Sequence, residues 1–195
     1  MSDSTRILAF AGSLRRESYN KRLLKIAVRA AQEEGAEVTE IDLQDFRMPV
    51  LDQDMERAEG LPASARQLKK LMVDHDGFLI ASPEYNSSVT GVLKNTIDWA
   101  SRPAEGEPPL VAFQGKIAAI IAASPGGLGG LRGLVHLRAI LGNIGVLVLP
   151  EQLAVPKAHE AFAEDGSLAD GKLQGRVEQI GRRLVQVASR LRDPE

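Results

Sequence analysis

Ile7-Leu8-Ala9-Phe10-Ala11-Gly12-Ser13-Leu14-Arg15-Arg16-Glu17-Ser18-Tyr19-Asn20 opens with five apolar residues, passes through Gly, two serines and two arginines, and enters a helical pattern. The opening reads as a buried strand and the rest as a turn suited to an anion. The hydroxyls of Ser13 and Ser18, the amide of Asn20 and the loop N–H groups are phosphate donors, and the start of the next helix adds favourable partial charge. Arg15 or Arg16 adds a charge-assisted, bidentate-capable contact. The same serines and Asn20 also suit helix capping, with the arginines left in water. The turn is neither a Gly-Lys-Ser/Thr phosphate loop nor a G-x-G-x-x-G dinucleotide turn.

Working outward, Leu24, Ala27, Val28 and Ala31 make one apolar helical stripe that Gly35 ends, and Glu37–Asp42 alternates like a half-exposed strand. From Leu43 to Leu61 the periodicity is lost, and a long surface loop is expected, pinned by Phe46, Met48, Val50 and Leu51. Pro62 suits a first helical position before the stripe of Leu68, Leu71 and Met72. Gly77–Ser82 is a continuous apolar strand stopped by Pro83, as in a parallel sheet covered on both faces. The polar segment Glu84–Gly91 leads into a helix capped by Thr90, with Leu93, Ile97 and Ala100 inward.

Glu105–Pro109 reads as a loop, Lys116–Ala123 as a strand, and Ser124–Gly130 as a glycine-rich connection. A helix marked by Leu137, Ile140, Leu141 and Ile144 follows, then a fifth strand at Val146–Leu149. A last helix carries Val177, Ile180, Leu184, Val187, Ala188 and Leu191. Strands alternating with helices imply an α/β, doubly wound, five-stranded parallel sheet with helices on both faces. The unusual loops at Ser13, Pro83 and Ser124 follow strands one, three and four at one sheet edge, where such folds bind ligands.

The 195 residues suit a single domain, 1–195, and a net charge of -2 gives no general attraction to nucleic acid or anionic membrane. Without cysteine there are no disulfides, thiolate metal sites or cysteine nucleophile. His75, His136 and His159 lack metal-ligand spacing, so no metal site is expected. Met1–Arg6 lacks the features of a secretory signal, and no apolar run approaches the ~20 residues of a membrane helix, so a cytoplasmic protein is expected.

At the three loops the chain resembles the NADPH-dependent FMN reductase family, flavodoxin-like proteins that include bacterial quinone and chromate reductases. The matching pieces are Gly12–Asn20, Ser82–Trp99 and Ser124–Gly127. The most specific is the middle one, with Pro83-Glu84-Tyr85-Asn86, Gly91, Leu93-Lys94-Asn95 and Asp98-Trp99. The resemblance spans roughly residues 6–191. It implies that Ser13, Arg15, Ser18 and Asn20 hold the FMN phosphate, with Tyr19 giving its backbone amide and Leu14 belonging to the same loop. Pro83, Glu84, Tyr85 and Asn86 would line the isoalloxazine, and Ser124, Gly126 and Gly127 would flank it.

The resemblance further implies hydride transfer from NADPH or NADH through FMN to a small-molecule electron acceptor such as a quinone, flavin, azo dye or metal oxyanion. The protein would supply proximity, orientation and water exclusion, with no catalytic side chain. Lys94 and Asp98 would pair across a helical turn. A homodimer or homotetramer is implied, with Trp99 at a subunit contact and Arg102 or the 43–61 loop reaching a partner's site. The alternative is a flavodoxin-like electron carrier, against which stand the two loop arginines and the near-neutral charge.

Overall fold

Along β1 (Arg6–Ala11) the side chains of Ile7, Ala9 and Ala11 enter one apolar cluster and those of Leu8 and Phe10 another. That alternation is the two-residue period of a strand buried on both faces, and it places the chain in three layers. In this computed structural model residues 4–104 and 106–192 are described; the beginning of the Met1–Arg6 segment and Glu105 of the expected Glu105–Pro109 loop lie outside them.

The elements continue with α1 (Tyr19–Glu33), β2 (Glu37–Ile41), α2 (Gln53–Glu59), α3 (Ala63–Asp74), β3 (Gly77–Ala81), β4 (Glu84–Tyr85), β5 (Ser88–Val89), α4 (Gly91–Ala100), β6 (Ile117–Ala123), α5 (Leu131–Asn143), β7 (Leu147–Val155), α6 (Ala158–Ala161) and α7 (Gly171–Arg192). The main sheet runs β2-β1-β3-β6-β7 with every neighbour parallel. Chain order reverses between β1 and β3, the switch point at which such sheets bind ligands. One face is covered by α1 and α7 through Leu23, Leu24, Ala27, Val177, Ile180 and Leu184. The other is covered by α3, α4 and α5 through Leu68, Met72, Leu93, Ile97, Leu134 and Leu137. The expected flavodoxin-like α/β sheet is therefore present.

Three expectations change. The 43–61 segment is not irregular throughout: it holds a 3-10 turn at Leu43–Phe46 and the short helix α2. Asp52 accepts from the N–H groups of Asp54 and Met55, a cap that starts α2 without any apolar stripe. Pro62 precedes α3 as its N-cap residue instead of being its first helical residue. The fifth strand is longer than Val146–Leu149 because it passes through a bulge: Ala118 pairs with Val148 but Ile120 with Gln152. Pro150 sits in that bulge of an edge strand, where a missing N–H is tolerated. The Arg138 guanidinium donates to the carbonyls of Val148 and Leu149 and to the Gln152 side chain at 2.7–3.2 Å, replacing the interrupted ladder.

Candidate functional site

The ladder hydrogen bonds run past the strand ends, so the three loops leave in register. Gly12 N–H donates to Ala81 (2.9 Å), Ser82 N–H to Ile121 (2.8 Å) and Ser124 N–H to Val155 (3.1 Å). Between these departures lies an open cleft lined by Ser13, Arg15, Ser18, Tyr19, Asn20, Pro83, Glu84, Tyr85, Ala123, Ser124 and Pro125. The structure thus brings nine sequence-predicted residues from three loops together. Leu14, Asn86, Gly126 and Gly127 border this lining without forming part of it. Ala123 and Pro125 were missed by residue chemistry; the available signal was position, since both stand where a strand ends at the ligand edge.

Ser18 caps α1, its Oγ accepting from the Asn20 N–H at 3.2 Å. Its own O–H remains a donor toward the cleft. Ser13 Oγ accepts from the Arg15 N–H at 3.2 Å, tightening the turn. The N–H groups of Arg16, Glu17 and Tyr19 meet no acceptor among the described residues. Arg15 settles over the Tyr19 ring, 5.0 Å from its centre, and donates to the Glu17 carbonyl. Tyr19 in turn stacks on Phe162 with ring centres 6.2 Å apart. Its ring is committed to packing, which leaves its backbone amide for the cleft. Arg16 lies instead in a neighbouring groove with Lys21, Arg22 and Lys25.

Asn20 has a structural part that the sequence did not announce. Its side chain, in a residue only 3% exposed, donates from Nδ2 to the Ala123 carbonyl (2.8 Å) and accepts at Oδ1 from the Ala123 N–H (3.0 Å). It ties the start of α1 to the end of β6, joining two of the three loops. Thr90 performs a similar task and caps α4 as expected: it accepts from Leu93 N–H (3.2 Å) while donating to the Gly12 carbonyl (2.7 Å).

On the second loop, β4 and β5 form a two-residue hairpin whose turn residues, Asn86 (φ 50°) and Ser87 (φ 67°), are both left-handed. That geometry matches the twist of antiparallel strands. Tyr85, 61% exposed, stands on this lip. The Glu84 carboxylate, on a residue that lines the cleft, is held by α5, accepting from the N–H groups of Arg132 and Gly133 and from the Arg132 guanidinium. Burial alone raises the Glu84 pKa, but these donors outweigh it and hold the carboxyl below the usual range. On the third loop, a Cβ on Gly126 would meet only Ser124 Oγ at 3.7 Å and one on Gly127 nothing, so the backbone is open to close approach.

One resemblance-based expectation is corrected. Trp99 is completely buried and is no subunit contact: its Nε1–H and the Asn95 amide both donate to the Pro49 carbonyl at 2.8 Å. The Arg102 guanidinium is engaged within the chain, 2.7 Å from Glu56 on α2. The Lys94–Asp98 pair is present at 2.6 Å. Together Asn95, Trp99 and Arg102 fasten the 43–61 segment to α4. Among the described residues no group of three or more His, Asp or Glu side chains suits a metal ion, and no helix is long and apolar enough to cross a membrane.

The donor set suits a phosphate-bearing aromatic group such as FMN. Hydroxyls, unpaired N–H groups and Arg15 gather at one end, and Pro83, Tyr85 and open glycine backbone stand at the other. Comparison with known proteins agrees. The model of the family described as NADPH-dependent FMN reductase matches residues 5–160. An NAD(P)H-dependent FMN reductase from Pseudomonas aeruginosa is 37% identical over 193 residues, covering 98% of this chain and 100% of the relative. A quinone reductase from Escherichia coli is 34% identical, covering 95% and 94%. Among solved structures, the flavoenzyme NAD(P)H:(acceptor) oxidoreductase from Paracoccus denitrificans superposes with a TM-score of 0.79 at 31% identity, covering 94% of this chain and 97% of the other. With its three loops converging on such a cleft, the chain belongs to the NADPH-dependent FMN reductase family, oxidoreductase enzymes that work with FMN and a nicotinamide donor.

Proposed function

We propose that this chain is one FMN-binding reductase domain that carries reducing equivalents from NADPH or NADH to small-molecule acceptors, with quinones first and flavins, azo dyes and metal oxyanions as further candidates. The observation that carries the reading is the convergence of the loops after β1, β3 and β6 on one open cleft. FMN, when bound, supplies hydride acceptance from the nicotinamide and electron delivery to the acceptor. The chain's own residues bind and orient. Ser13, Ser18, Arg15 and the unpaired N–H groups at the start of α1 answer a dianionic phosphate. Pro83, Tyr85 and the glycine backbone after β6 leave room for a flat ring with one side exposed, so donor and acceptor use the same place in turn.

No side chain in the cleft is assigned as a general acid or base, because Glu84 is held charged against α5. The protein is proposed to act in the cytoplasm as a homodimer or homotetramer. The visible spectrum of the purified protein, before and after anaerobic NADPH, tests the reading. Flavin bands that bleach within turnover time are expected. Bands that persist with either nucleotide, or a protein that takes up no FMN, would overturn it.

A further inference from the structure

Helix α5 begins without a cap of its own. Its N-cap residue is Gly130, left-handed at φ 98°, with no side chain to accept from the first turn. The N–H groups of the second and third helical residues, Arg132 and Gly133, are the ones an N-cap side chain normally satisfies. Here they are satisfied by Glu84 Oε2, at 3.0 and 3.2 Å. Glu84 Oε1 meanwhile accepts from Arg132 Nε at 2.8 Å, with the guanidinium NH2 at 2.5 Å, and the Glu84 side chain is 8% exposed. The carboxylate thus sits at the positive end of a thirteen-residue helix and against a guanidinium, two favourable placements for one charge.

Two further contacts dock the same hairpin on the same helix. His136 Nδ1 and Ser88 Oγ lie 2.9 Å apart. A Cβ added to Gly133 would come within 3.2 Å of the Ser88 carbonyl and 3.4 Å of Glu84 Cβ, so the helix is cut away where the hairpin lies on it. The hairpin has two residues in each strand and, among the described residues, pairs with no other strand. A ribbon of that size does not hold its own shape in water. Its position is therefore set by α5.

We infer that Glu84 is a positioning residue of the flavin site: by supplying the missing cap of α5 it fixes the β4–β5 hairpin, and with it Tyr85 and the backbone that meet the ring. The inference rests on the FMN reading above and deepens it. Glu84 acts through the helix and not on the transferred hydride or a proton. All its donors come from α5.

The test is an FMN titration of the flavin-stripped full chain, followed by flavin fluorescence and by the visible absorption and circular dichroism of the bound form. Glu84→Ala is expected to weaken FMN by about tenfold or more, the loss of roughly one charge-assisted anchor, and to change the bound flavin band shape. Glu84→Gln keeps one acceptor oxygen and should fall between it and the unaltered protein. Gly133→Ala should reproduce the effect with the charge intact. Riboflavin, which lacks the phosphate, should weaken by the same factor, placing the change at the ring end. If Glu84→Ala does not fold, Glu84→Gln and Gly133→Ala decide the matter. FMN affinities within twofold of the unaltered protein and unchanged spectra would overturn the inference alone. A loss of turnover with affinity and spectrum unchanged would also overturn it, in favour of a chemical role. An unaltered protein that binds no FMN would overturn the FMN reading as well.

Discussion

Replacing Asn20 by Ala separates two roles for this residue: phosphate donor or structural tie. The geometry supports the tie. The side-chain amide makes two hydrogen bonds, of 2.8 and 3.0 Å, to both backbone groups of Ala123, in a residue 3% exposed. Ala at position 20 removes both bonds and leaves the Ala123 N–H and C=O without a partner. An unsatisfied buried group costs about 1–3 kcal/mol, so the pair together amounts to about 2–6 kcal/mol. In a chain of this length each kcal/mol lowers Tm by about 2–4 °C, which places the expected fall between about 4 and about 24 °C. The assay is urea and thermal unfolding of the flavin-free protein, so that no ligand contributes. Asn20→Asp gives a second reading: it keeps an acceptor for the Ala123 N–H but sets a carboxylate against the Ala123 carbonyl. It should therefore be at least as unstable as Asn20→Ala. A flavin-free Asn20→Ala protein as stable as the parent, with FMN affinity lost, would refute the reasoning and return Asn20 to the phosphate.

Trp99→Phe removes the Nε1–H that reaches the Pro49 carbonyl but leaves the Asn95 amide on the same oxygen. A loss of about 1 kcal/mol in urea unfolding is expected, with easier proteolysis within residues 43–61; an unchanged cleavage pattern would detach Trp99 from that segment. For Glu84, the folded-state pKa lies below the ordinary value of 4.5, so its contribution to stability is complete above about pH 4.5 and is lost as the pH falls through the folded pKa. The stability gap between the parent and Glu84→Gln should accordingly narrow as the pH drops from about 6 to about 3. A gap independent of pH would contradict the assignment.

The sheet was legible because its residues report their surroundings directly. Strands buried on both faces read as continuous apolar runs at Ile7–Ala11, Gly77–Ala81 and Lys116–Ala123, and helices with one buried face leave a periodic stripe. Only position at the ligand edge, not side-chain chemistry, marked Ala123 and Pro125 as cleft residues. Long-range ties were hidden for the same reason. Asn20 and Ala123 are 103 positions apart, and nothing local distinguishes an amide aimed at a neighbouring strand from one aimed at a phosphate. Trp99 was misplaced because an indole suits an interface and a core equally well, and only burial separates them. The extension of β7 escaped notice because Pro150-Glu151-Gln152 breaks strand periodicity, and its continuation depends on Arg138 from another element. Helix α2 was missed because it buries none of its residues and leaves no stripe.

The bulge in β7 also limits how copies of this chain can join. An open sheet has two margins, each a template for a further strand from another molecule. On one margin Pro150 interrupts the row of donors while the Arg138 guanidinium occupies the carbonyls of Val148 and Leu149. On the other, β2 carries exposed Glu37 and Glu40, whose repeated negative charge opposes a second β2 laid alongside. Extension of the sheet from molecule to molecule is therefore disfavoured at both ends. That leaves helical faces and loops as the surfaces on which copies of this chain would meet, and an isologous contact there closes as a dimer without extending the sheet.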